Sequence, residues 1–251
     1  TMYSMQVILS FLMLIMVFIF MPRASVSSKR INEVLSTKNI INDPETPAAD
    51  TGIKGELEFR NVSFKYPDGD GYVLKDISFK AEKGQTVAII GSTGSGKSSL
   101  LNLIPRFYDV TEGEVLVDGV NVKEYRQEEL HDKIGYVPQK AVLFSGTVDS
   151  NLRFGKEDAT REELAKAVEI AQANNIIEKK GYGGNVAQGG QNMSGGQKQR
   201  MSIARAIVKN PEIYLFDDSF SALDYKTDRL LREAINKNIK HATNIIVAQR
   251  I

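Results

Sequence analysis

The sequence predicts an α/β fold: a parallel-strand core with an antiparallel β subdomain and a helical subdomain, preceded by one transmembrane helix. Three observations predict it. No charged residue occurs from Thr1 to Pro22, alternating strand signals near residue 60 give way to continuous apolar runs, and a capped, apolar-periodic helix pattern lies between those runs. With 251 residues at 42% hydrophobic and 25% charged content, the chain has material for one sizeable core plus something small.

Val7 to Met21 is apolar except for Ser10, and twenty helical residues span roughly 30 Å, the thickness of a bilayer core. Arg23, Lys29 and Arg30 follow, so the positive-inside bias places the downstream residues in the cytoplasm. A cleaved signal peptide is the alternative, disfavoured because no basic segment precedes the apolar run. The chain opens at Thr1, and one helix cannot line a solute pathway. The expectation is a fragment that begins inside the last membrane helix (1–22). Val26, Ile31, Val34 and Leu35 keep helical spacing, which extends that helix into the cytoplasm. Asn39 to Gly52, with Pro44 and Pro47, reads as an extended linker that completes segment 23–52.

The remainder, 53–251, alternates strand and helix. Leu57 to Tyr66 and Val73 to Phe79 alternate apolar and polar residues, as half-buried antiparallel strands do. Thr86-Val-Ala-Ile-Ile90, Ile213-Tyr-Leu-Phe216 and Asn244-Ile-Ile-Val247 are continuous apolar runs, as expected of buried parallel strands. Thr160-Arg-Glu-Glu163 is a capping box that opens a helix, and 140–192 reads as a mostly helical insertion.

The 32 basic and 31 acidic residues leave a net charge of +1, which gives nucleic-acid binding no electrostatic support. The absence of cysteine removes disulfides, thiolate catalysis and cysteine-ligated metals, and His131 and His241 are too few for a multi-histidine metal site.

The chemistry lies in two glycine-rich runs. Gly91-Ser92-Thr93-Gly94-Ser95-Gly96-Lys97-Ser98, followed by Ser99, has the Walker A spacing in the strand–loop–helix context that this phosphate loop requires. Its backbone N–H groups wrap phosphates, Lys97 reaches the β and γ phosphates of ATP, and Ser98 faces Mg2+. Asp217 and Asp218 end the strand Ile213 to Phe216, where ligands bind in open parallel sheets; in isolation they would read equally well as a solvated turn. About a hundred residues after the first run comes Met193-Ser194-Gly195-Gly196-Gln197-Lys198-Gln199-Arg200. Ser194 and Gln197 have capping-box spacing for a helix running to about Val208, and a capped N-terminus with two glycines is also an anion site.

The second run resembles the signature loop of the ABC (ATP-binding cassette) ATPases, and with Walker A before it the resemblance covers Gly55 to Ile251. It implies a P-loop NTPase (RecA-like) core. Asp217 resembles the Walker B aspartate that holds magnesium. Tyr66, in Phe64-Lys-Tyr-Pro67, resembles the aromatic that stacks on adenine, although an ordinary strand aromatic has the same spacing. Gln139, in Gly135-Tyr-Val-Pro-Gln139, resembles the Q-loop glutamine that senses magnesium, and Ser221-Ala-Leu-Asp224 matches the D-loop. Leu143-Phe-Ser-Gly-Thr147 is more similar to exporters than to importers.

Two positions depart from the family pattern. Asp218 stands where active members carry a glutamate, and one methylene less withdraws the carboxylate by about 1.5 Å, when about 1 Å of misplacement costs a hundredfold. Gln249 stands where the switch region presents a histidine, and an amide cannot carry a proton to or from the reaction. The pair resembles the degenerate-site subunit of bacterial heterodimeric multidrug exporters. The implied protein is a multi-pass membrane half-transporter, truncated here at both ends. Its signature loop serves ATP held by a second half-transporter, with a homodimer as the variant, and its cargo is a small molecule, lipid or peptide. Val186-Ala-Gln188 departs from the valine–glutamate that exporters carry before the signature. The alternative is a nucleotide-gated regulatory module with little ATPase activity.

Overall fold

The computed structural model describes residues 2–49 and 51–248; Gln249, one of the predicted site residues, lies outside them, as do Thr1, Arg250 and Ile251. The chain forms two compact units, divided between Asn42 and Asp43 within the linker-like stretch.

The first unit is helix α1, Met2–Leu35, of 34 residues with Pro22 inside it. At 1.5 Å per residue it is about 50 Å long. It is long and apolar enough to cross a membrane. None of its residues is buried, with large apolar side chains such as Phe11, Leu14 and Phe18 exposed. A helix that is apolar on every side and exposed throughout matches a lipid or helix-bundle environment better than water.

In the second unit the strands and helices are β1 Leu57–Phe64, β2 Leu74–Ala81, β3 Thr86–Ile90, α2 Lys97–Leu103, β4 Glu112–Val117, β5 Val120–Asn121, α3 Gln127–Lys133 and β6 Ile134–Val137. There follow β7 Gly146–Thr147, α4 Val148–Arg153, α5 Arg161–Ile170, α6 Asn174–Lys180, β8 Asn185–Val186, α7 Gly195–Lys209, β9 Ile213–Asp217, α8 Tyr225–Asn238 and β10 Thr243–Ala248. The alternating segments pair as predicted: β1 runs antiparallel to β2, and β4 and β5 complete a sheet of order β2-β1-β4-β5. The continuous apolar runs form a parallel sheet of order β3-β10-β9-β6.

Strand β9 is buried along its whole length, which is why it reads as an unbroken apolar run. Its odd residues Ile213 and Leu215 pack with Leu57, Phe59, Leu101 and Ile104 of the antiparallel sheet and α2. Tyr214 and Phe216 point the other way, to Leu164, Ile203 and Leu231 of α5, α7 and α8. Strand β3 departs from the expectation of burial. It lies at the end of the sheet, pairing with β10 on one side, so Val87 and Ile89 touch the core while Ile90 is 51% exposed. A run of apolar residues specifies a strand but not whether it is central or marginal.

The insertion between β6 and α7 contains α4, α5 and α6 and, beyond the expectation, a short β7–β8 ladder that joins its two ends. The Thr160 capping box forms with both of its hydrogen bonds, and α4 is capped the same way by Thr147. The two sheets are fastened by Asp118, 1% exposed, which accepts from the Glu56 N–H at 3.0 Å and from Lys133 Nζ at 2.7 Å. Burial works against the Lys133 charge, but Asp118 and Glu212 outweigh it and push its pKa up to about 12.

Register between β1 and β4 slips between Arg60 and Ser63, and Gly113 sits opposite the slip with φ +76°. A Cβ there would overlap the carbonyl oxygens of Arg60 and Asn61. Gly113→Ala is therefore expected to lower the stability of the domain by at least about 1 kcal/mol in urea unfolding; an unchanged midpoint would contradict this reading of the bulge.

Candidate functional site

The site is built where β3, β6, β9 and β10 end together. The chain leaves β3 at Ile90, turns through Gly91 to Gly96 and enters α2 at Lys97. The turn closes with Ser95 N–H donating to Ser92 O, and Gly94 and Gly96 adopt φ of +82° and +88°. Gly96 is the N-cap of α2, so no side chain takes up the first N–H groups of the helix. They remain open as donors at its positive end. A Cβ on Gly96 would also press on Val73 and Leu74 at 3.0 Å, so glycine is required for both conformation and space.

Lys97 folds across this loop and donates through Nζ to Gly91 O and Ser92 O, both at 2.7 Å, and to Ser95 Oγ at 3.3 Å. The ammonium thus sits inside a ring of backbone, with its charge on the loop axis. Ser98 Oγ donates to Asp217 Oδ1 at 2.9 Å across 119 residues. Gln139 Nε2 donates to Asp218 Oδ2 at 3.2 Å. The cavity these groups enclose has a volume of about 220 Å³, and Thr93, Gly94, Lys97, Ser98, Gln139, Asp217 and Asp218 all line it.

Asp217 and Asp218 are not a solvated turn, being 5% and 9% exposed. Burial raises the Asp217 pKa and the neighbouring Asp218 charge adds to this, against the lowering effects of Ser98, Tyr136 and Lys97. Burial and then Asp217 raise the Tyr136 phenol, whose hydroxyl lies 3.5 Å from Asp217 Oδ2. Asp218 adopts φ +46°, and its carbonyl accepts from Ser221 Oγ at 2.8 Å, tying the Ser221 to Asp224 loop to the end of β9. Asp224 in turn caps α8.

Val73 and Val247 line the cavity without having been singled out in the sequence, beside Ser99, which was and which is buried. Only the fold brings β2 and β10 to the loop, so no local signal marks either valine. Tyr66 is half-buried beside the site, edge-on to Phe64 and Tyr108, with its hydroxyl 2.8 Å from Ser99 Oγ.

Ser194 to Gln197 is elsewhere. Ser194 caps α7, its Oγ accepting from Gln197 N–H at 3.3 Å and its N–H donating to Gln197 Oε1 at 2.9 Å. Arg200 ties the first turns of α7 to Gln172 O and Asn175. Among the described residues, none of Ser194 to Gln197 lines the cavity at Lys97. Gly195 has nothing within 4 Å of where a Cβ would be, and a Cβ on Gly196 would lie 3.3 Å from Ala222 O, in the loop after β9.

A glycine cradle with an uncapped helix N-terminus, a lysine on the loop axis and a carboxylate at the adjacent strand end define a P-loop nucleotide-binding domain. The chain belongs to the ABC transporter family, whose model matches residues 74–221. It is thus an ATP-binding ABC transporter ATPase domain. An uncharacterized ABC transporter ATP-binding protein of Mycobacterium bovis is 47% identical over 99% of this chain and 44% of its own length. A Bacillus subtilis protein provisionally named a multidrug export ATP-binding/permease protein is 40% identical over 90% of this chain and 39% of its own. The structure of a bacterial Atm1-family ABC exporter with ATP bound aligns with a TM-score of 0.84 at 35% identity, over 94% of this chain and 41% of that one. The chain therefore spans less than half the length of these relatives.

Ser98→Ala leaves the buried Asp217 carboxylate without its closest donor. The expected loss in the nucleotide-free domain is about 1–3 kcal/mol by chemical denaturation. Stability equal to the parent chain would mean that Tyr136 and Lys97 satisfy Asp217 without Ser98.

Proposed function

We propose that this chain is the nucleotide-binding end of a membrane half-transporter that drives export of a small molecule, lipid or peptide, and that it works in a head-to-tail dimer with a second half-transporter. Its α1 would be the last membrane helix and the second unit would lie in the cytoplasm. The observation that carries the reading is the separation of Ser194 to Gln197 from the cavity at Lys97 within one chain. A capped anion site that opens to empty space needs a phosphate supplied from outside the chain. In the dimer, each signature loop would close on the γ phosphate of ATP held by the other subunit's phosphate loop.

In this chain's own site, Gly91 to Ser99 would hold the phosphates through backbone N–H groups, with Lys97 turning from Gly91 O and Ser92 O to the β and γ phosphates. The hard oxygens of Ser98 and Asp217 fit Mg2+, which takes one or two carboxylates together with phosphate oxygens, and Gln139 adjoins them. When bound, Mg2+ would neutralise phosphate charge.

We place Asp218 at the attacking-water position and Gln249 at the switch position. Asp218 is held back by its short side chain and by Gln139, which supports slow hydrolysis at this site. Two ATP molecules would close the dimer. Hydrolysis at the partner's phosphate loop, completed by Ser194 to Gln197 of this chain, would then reset it.

Two outcomes are expected in the full-length pair. Gly195→Asp abolishes most ATPase turnover although it lies outside the Lys97 cavity. The open space around Gly195 and the favourable place of a carboxylate in a helix's first turn leave the domain folded. Near-normal turnover would sink the reading in which the signature serves the partner's ATP. Asp218→Glu combined with Gln249→His raises turnover by up to the ~10²- to 10⁴-fold typical of general acid–base groups; no increase would turn the assignment toward a nucleotide-gated module.

A further inference from the structure

Tyr136 on β6 is in parallel register with Leu215 of β9, and Asp217, two residues beyond Leu215, lies on the same face of the sheet. The Tyr136 ring packs against the core shared by the antiparallel sheet and α2 and meets Phe107 edge-on, with 5.9 Å between centroids. The packed ring carries the hydroxyl to a place with two acceptors: Asn102 Oδ1 on α2 at 3.2 Å and Asp217 Oδ2 at 3.5 Å. A phenol has a single proton to donate, so it serves one of them at a time. Both distances exceed the usual range of about 2.5–3.0 Å for such a bond, and the charged acceptor draws the shorter and stronger one. Among the described residues, the hydrogen bonds to the Asp217 carboxylate come from Ser98 at Oδ1 and from Tyr136 at Oδ2. One donor on each oxygen fixes the plane of the carboxylate.

We propose that Tyr136 is a positioning residue for the magnesium site, its hydroxyl holding Asp217 Oδ2 so that the carboxylate meets the cation in a fixed orientation. The inference rests on the reading in which Ser98 and Asp217 hold Mg2+ together with the nucleotide. Tyr136 does not line the phosphate cavity, whereas Lys97, Ser98 and Asp217 do. Its effect therefore falls on the metal and not on the contacts between the loop and the phosphates. Side chains that orient a metal ligand in this way typically contribute about 10- to 100-fold to metal affinity. Tyr136→Phe keeps the ring, its packing on the core and its contact with Phe107, and removes the donor alone.

The test uses the full chain in detergent micelles, with Mn2+ as the paramagnetic stand-in for Mg2+. Bound Mn2+ is read by EPR in titrations of chain loaded with AMP-PNP and held in excess over it. Metal-free nucleotide affinity is read from the fluorescence of TNP-ATP in EDTA. Tyr136→Phe should weaken Mn2+ about tenfold while TNP-ATP affinity stays within about twofold. Asp217→Asn should weaken Mn2+ further still. Mn2+ affinity unchanged in Tyr136→Phe, or Mn2+ and TNP-ATP weakened alike as a purely structural role would do, overturns the proposal, while loss of Mn2+ in Asp217→Asn keeps the magnesium reading. An Asp217→Asn chain that binds Mn2+ as the parent does would overturn that reading, and this proposal with it.

Discussion

The structure depends on the burial of β9 from both sides. Its five residues separate two apolar cores, Ile213 and Leu215 facing the antiparallel sheet and α2, Tyr214 and Phe216 facing α5, α7 and α8. A strand packed on both faces has little freedom to shift, since a slip of one residue would exchange every side chain between cores. Asp217 ends this strand and Asp218 continues it, so their carboxylates are fixed relative to the phosphate loop by packing several residues away. The electrostatic tension at Asp217, pushed up by burial and by Asp218, is sustained because the packed strand holds the two residues in place.

The phosphate loop supplies the opposite charge without a cationic cluster. Glycine at the N-cap of α2 leaves backbone donors open, and Lys97, bridging Gly91 O and Ser92 O, keeps the loop in the shape that an anion requires. The loop is thus prepared by internal hydrogen bonds that phosphate oxygens are suited to replace. Ser194 shows the contrasting solution. There the side chain caps its helix, and the glycine beside it leaves the approach open. The phosphate loop is lined by its own chain, and the start of α7 is open at Gly195.

Much of this was legible from local spacing. The Thr160 and Ser194 capping boxes formed as their three-residue separations required, because cap hydrogen bonds lie within one helical turn. The alternating and continuous apolar runs marked the two kinds of strand. The run Thr86 to Ile90 misled on burial, since its apolar character is compatible with either a central or an end position. Val73, Tyr136 and Val247 escaped notice because each reaches the site through strand order. The contact of the Tyr66 hydroxyl with Ser99 on α2 had no local signal either, since 33 residues separate them.

By itself the sequence determined the elements whose physics is local: the glycine loop with Lys97 and Ser98, the capped helix after Ser194, the apolar length of α1 and the residue types at Asp217, Asp218 and Gln139. The tertiary structure decided which of these meet. Ser98 finds Asp217 across 119 residues and Gln139 finds Asp218 across 79, because the β3-β10-β9-β6 order brings the strand ends to one edge of the sheet. It also decided which do not meet: Ser194 to Gln197 stay outside the Lys97 cavity. Contacts of that range follow from how sheets and cores pack, and short-range spacing carries no record of them.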